Sequence, residues 1–144
     1  MRTEFQEYLR EIGVEGAFLE RADAILAHFE VLVPDLVAEA TLFVSDRIDE
    51  EGKRRYASLW LFTAEAMMEA KEFLEKVDID FAPLTNGCVY WVINTRSFSL
   101  KETTDASRMS LRVILPSDVG GELQATGSNC AHLLDVLRQY ILPL

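Results

Sequence analysis

Cysteine, histidine, proline and positive charge are all scarce in this chain, and each shortage closes off a class of protein. There are two cysteines among 144 residues, Cys88 and Cys130, with no spacing motif between them. A disulfide scaffold or a thiolate zinc site needs more, so both read as buried free thiols in a reducing compartment. The two histidines, His28 and His132, stand alone. Cys130 and His132 are two apart on an expected helix, where only i+3 and i+4 neighbours share a face, so they do not form a ligand or catalytic pair. Four prolines and seven glycines exclude a collagen-like or low-complexity chain. No apolar run approaches the roughly 20 residues of a membrane helix. Gly-x-Ser-x-Gly, phosphate-loop and dinucleotide-loop glycine motifs are missing as well. With 14 Lys plus Arg against 24 Asp plus Glu, the net charge of -10 opposes DNA, RNA and anionic lipid.

What remains is an acidic globular composition, 49% hydrophobic and 26% charged, of a length that builds one core. Residues 1–35 hold 3 basic and 8 acidic side chains and form the most acidic quarter. The start of the chain, charged and amphipathic with no apolar signal core, leads to the expectation of a cytoplasmic protein. One domain is expected over 1–144, with an N-terminal helical hairpin at 1–35 and a sheet with a closing helix at 36–144.

Phe5, Tyr8, Leu9 and Ile12 repeat at i, i+3, i+4 and i+7 behind Thr3 as the expected N-cap, and Gly13 follows as a stop. A second pattern of Phe18, Ala22, Ile25, Phe29 and Leu32 runs until Pro34. Each helix must lay its apolar stripe on the sheet or on another subunit, so Phe5, Tyr8, Leu9 and Ile12 are candidate interface residues.

From Leu36 the period changes to two. Strands are expected at 38–48, 53–63, 66–73, 77–82, 87–98, 107–116 and 121–126, with turns at Asp49-Glu50-Glu51-Gly52, Asn86-Gly87 and Gly120-Gly121. The stretch 64–74 has competing helix propensity. Consecutive apolar residues at Leu59 to Phe62 and Val89 to Ile93 predict strands covered on both faces. A last helix is expected from Ser128, its N-cap, to Ile141, with Cys130, Leu133, Leu134, Leu137, Tyr140 and Ile141 on one stripe.

Seven antiparallel strands followed by one helix resembles the pleckstrin-homology superfold, over residues 36–142. The resemblance implies an α+β chain whose seven-stranded antiparallel, barrel-like sheet is capped by the C-terminal helix. It also implies weak binding of anionic head groups by the first hairpin loop, through Lys53, Arg54 and Arg55. The helix tryptophan typical of lipid-binding members is replaced, Tyr140 being the only aromatic there.

Other constellations are weighed on their residues. Asp46, Asp49, Glu50 and Glu51 lack calcium-loop spacing, so no metal is expected. Asp78 and Asp80 share one strand face, as the wet face of any strand does. Trp60, Phe62, Tyr90 and Trp91 are candidate cavity-lining residues and equally a core cluster. No catalytic residue and no cofactor is expected. The reading that follows is a non-catalytic cytoplasmic interaction module, with another protein or its own copy as partner, through apolar burial or strand addition. A small-molecule-binding or enzymatic α+β barrel with an apolar cavity near Trp60 and Trp91 is the alternative.

Overall fold

Helix α1, Thr3–Glu11, forms where the i, i+3, i+4 repeat falls, and its stripe turns inward: Phe5, Tyr8, Leu9 and Ile12 are all buried. A computed structural model of the chain describes residues 1–71, 78–83, 90–93, 108–114 and 120–141, with side chains at 1–70 and 123–140. Gly13 and Gly16, both at positive φ, turn the chain into α2, Ala17–Leu32, which buries Ala22, Ile25, Leu26 and Phe29. Positive φ is open to glycine without Cβ strain.

The expected cap of α1 is corrected, and that of the last helix keeps its position without a cap bond. Arg2, not Thr3, occupies the N-cap position of α1 and makes no cap bond there. Its guanidinium instead donates to the carbonyls of Val37 and Ala40, at 2.8 Å each, and closes the end of a further short helix, α3, Pro34–Glu39. Pro34 ends α2 as expected but also opens α3, because a first-turn position needs no N–H and suits proline's fixed φ. The strand expected from residue 38 therefore begins at Thr41.

The strands are β1 (Thr41–Ile48), β2 (Arg54–Phe62), β3 (Ala66–Lys71), β4 (Asp78–Pro83), β5 (Tyr90–Ile93), β6 (Arg108–Ile114) and β7 (Gly120–Thr126). Within 64–74, residues 66–71 are strand: pairing of Met67 with Phe62 and Met68 with Leu61 outweighs local helix propensity. Gly120 and Gly121 lie inside β7, opposite Ile114 and Val113, rather than in a turn. The Asn86-Gly87 turn and Cys88 fall outside the described residues.

The expected single seven-stranded barrel-like sheet does not form. Two antiparallel sheets stand in its place, β1-β2-β3-β4 and β5-β6-β7. Strands β1 and β7 are neighbours but share no backbone ladder. Side chains occupy the edge of β1 that a closing strand needs. Val44 N–H donates to Tyr8 Oη at 2.9 Å, and Val44 C=O accepts from Asn129 Nδ2 at 2.8 Å. On the β7 side, the N–H groups of Gln124 and Thr126 donate to Ser45 Oγ and Asp46 Oδ1, at 2.9 and 3.1 Å. Backbone groups satisfied by side chains have nothing left to pair with each other.

Helix α4, Asn129–Val136, continues as a π-helical turn, Leu137–Ile141. Ser128 precedes α4 in helical geometry and makes no cap bond, since an N-cap hydroxyl reaches back only from extended backbone. One hydrophobic cluster runs through α1, α2, β1, β2, β3, β7 and α4, from Phe5 to Leu137. The N-terminal helices thus dock on their own chain, and the doubly apolar stretch Leu59 to Phe62 is buried on both faces. Among the described residues no helix is long and apolar enough to cross a membrane.

Candidate functional site

Asp46 follows the apolar run Leu42-Phe43-Val44 and Ser45 in β1, and it has no exposed surface. A carboxylate is taken out of water at a cost of several kcal/mol unless its lone pairs are met. Here all four are. Oδ1 accepts from Thr126 N and from Asn129 Nδ2 at 2.7 Å; Oδ2 accepts from Arg54 Nε at 2.6 Å and from Thr126 Oγ1 at 2.5 Å. Opposite this site the β1–β2 register slips, Ser45 facing Ser58 and Asp46 facing Tyr56, so that Ala57 has no opposite residue. Such a bulge re-aims the side chains around it.

The network extends to α1. Tyr8 Oη donates to Asn129 Oδ1 at 2.7 Å while accepting from Val44 N. Burial pushes the Tyr8 phenol far above its ordinary value of 10.0. Arg54 also donates through Nη1 to Ile12 C=O, and its guanidinium lies 4.9 Å from the Tyr56 ring centre. Tyr56 in turn donates to Gly13 C=O at 3.3 Å and meets Phe18 edge-on at 4.7 Å; burial raises its phenol too. Five elements, α1, β1, β2, β7 and α4, therefore meet at one buried polar cluster. A carboxylate with every acceptor position used has none left for a substrate proton, so the cluster is built to hold the fold.

The three basic residues expected to bind an anion go separate ways. Lys53 is exposed and 3.8 Å from Glu51; Arg54 turns in to Asp46; Arg55 donates to Asp49 Oδ2 at 2.8 Å. Asp49 is the hairpin's organiser, its Oδ1 accepting from the N–H groups of Glu51 and Lys53 at 2.9 and 2.8 Å. The Arg55 hydrogen bond, and then those two N–H groups, hold its carboxyl below the usual range. Each of the three thus lies beside a different carboxylate, and they do not converge on one point.

Trp60 and Phe62 are packed core rather than a cavity wall. Their rings stack at 5.7 Å, and Phe62 stacks at 5.7 Å on Tyr140. Trp60 Nε1 donates to Ser58 Oγ at 2.8 Å. Tyr90 and Trp91 lie in β5 opposite Ile114 and Val113, with side chains outside the described residues. Asp78 and Asp80 take register positions opposite Lys71 and Glu69 in β4.

Two hollows lie elsewhere. One of about 570 Å³ opens between α1 and α2, among Arg10, Val14, Leu19 and Asp23. The other, about 250 Å³, lies beside Tyr8, Thr41, His132 and Tyr140. His132 meets the Tyr8 ring edge-on at 4.7 Å and places Nε2 3.3 Å from Glu11. Cys130 instead points to Ala125 C=O at 3.4 Å, and burial pushes its thiol up. His28 is exposed on α2. Among the described residues no three His, Cys, Asp or Glu side chains gather as a metal would require.

Sequence reading placed Tyr8 on an interface stripe and Asp46 in a hairpin charge cluster, and it passed over Thr126 and Asn129. The one available signal was a charged residue two positions behind an apolar run in β1, with Ser45 between. No protein-family model, curated protein or solved structure matches the chain.

Proposed function

We propose that the chain is a non-catalytic binding module that meets another protein through the outward face of α2. The observation that carries this reading is apolar surface left in water at the end of a helix whose opposite face is fully used: Val31 is 80% exposed and Leu32 57%. Contiguous apolar surface of that kind marks interaction sites. The saturated acceptors of Asp46 support a structural rather than a chemical use of the buried polar groups.

Side chains kept for binding contribute little to folding. The double variant Val31→Ser, Leu32→Ser is therefore expected to unfold in urea at the wild-type midpoint, while it binds less of an apolar reporter dye. A loss of stability above about 2 kcal/mol, the scale of a buried aliphatic side chain, places the pair in the folding core and ends the proposal.

A further inference from the structure

The outward side of α2 has a composition of its own. On a 100° per residue wheel, Ala24, Ala27, His28 and Val31 share one stripe, opposite the buried Ala22, Ile25, Leu26 and Phe29. All four are exposed, and the exposed surface continues through Leu32, Pro34 and Ala38 into α3. No charged side chain breaks the stretch from Ala24 to Val31 on that stripe. Around it acidic charge prevails, with Arg21 the one basic side chain, on the flank next to His28. Glu20 lies at one end, Asp23 and Glu30 along one side, and Asp35 and Glu39 at the other end; residues 17–39 hold these five carboxylates against the single Arg21. All but Glu30 are exposed.

An apolar centre with an acidic rim has a defined complement. The i, i+3, i+4, i+7 spacing presents a ridge that a second helix packs along, and the two alanines let its backbone come close. Lysine or arginine on the partner's flanks then meets the rim carboxylates, while an acidic partner is repelled. Resting on the binding role argued above, we propose that the outward face of α2 and α3 docks a basic amphipathic helix. Its apolar residues cover Ala24, Ala27, Val31 and Leu32, and its cations lie over Glu20, Asp23, Asp35 and Glu39.

The test uses the full chain and two synthetic amphipathic peptides of 18 residues, one of leucine and lysine, the other of leucine and glutamate, followed by fluorescence anisotropy. The expected result is binding of the lysine peptide alone. It weakens about tenfold in Val31→Ser, Leu32→Ser and by a similar factor when salt rises from about 0.05 to 0.5 M. Reversal of the rim with Asp23→Lys and Asp35→Lys is expected to shift preference toward the glutamate peptide. Equal binding of both peptides, lost in the serine variant, overturns the basic partner and leaves the binding face standing. Lysine-peptide binding that ignores the serine variant is attraction to net acidity alone and overturns the docking site itself. Absence of binding by either peptide also overturns it.

Discussion

At the scale of single residues, Tyr8 shows how one side chain joins local pattern to distant structure. Its ring belongs to the apolar stripe of α1, while its hydroxyl serves Val44 and Asn129 at once. Replacement by phenylalanine keeps the ring but leaves a buried N–H and a buried amide oxygen unmet, with an expected loss of about 2 kcal/mol in urea unfolding. The pH dependence has a definite sign. The folded phenol titrates far above the ordinary 10.0, so its stabilising contribution is complete below pH 10 and is lost as pH rises beyond it, because only the unfolded chain releases that proton. Absorbance at 295 nm and circular dichroism, followed together above pH 10, are expected to show a late phenolate step coincident with unfolding and smaller by one phenol in Tyr8→Phe. Ionisation of Tyr8 ahead of any loss of helix signal contradicts this account.

Elements were legible where neighbouring residues carry the signal. The periodicity of α1 and α2, the switch to strand at β1 and the register-defining hairpin at Asp49 to Gly52 are all local. Caps were less legible. Thr3 and Ser128 are good capping types, yet Arg2 is drawn to α3 through contacts remote in sequence, and Ser128 adopts helical geometry and makes no cap bond. The connection between α1 and α2 provides a clean test of backbone geometry. Gly16 has φ +60 and ψ -132, and a Cβ added there meets nothing within 4 Å. Gly16→Ala is therefore expected to cost about 1–3 kcal/mol by backbone strain alone, with the native fold retained by circular dichroism. A neutral substitution means that the turn relaxes without loss.

The whole molecule is two sheets held at a seam of side chains, with Asp46 at its centre. Truncation in Asp46→Ala strips partners from Arg54, Asn129 and Thr126 together, and a loss of about 3–5 kcal/mol is expected, the range for a broken buried pair. The seam also predicts where the damage appears. In hydrogen exchange of Asp46→Ala, the Thr126 amide of β7 is expected to lose protection before those of β2, because β2 keeps its ladders to β1 and β3 while Thr126 N–H loses its acceptor on β1. Uniform loss across both sheets shows instead that they unfold as one unit.

The periods of α1 and α2, the glycine turn at Asp49 to Gly52, an acidic balance and the lack of long apolar runs are properties of adjacent residues or of their sum, and the chain alone was enough to establish them. The division into two sheets was not available there. It depends on Val44 meeting Tyr8 and Asn129, residues 36 and 85 positions away, and on Asp46 meeting Thr126 at 80. Strand order read along a sequence carries no information about which edges side chains will saturate. The same reason separates Lys53, Arg54 and Arg55, contiguous in sequence and assigned three different partners in space, and it makes Trp60 and Phe62 core, with Tyr140 stacked on Phe62.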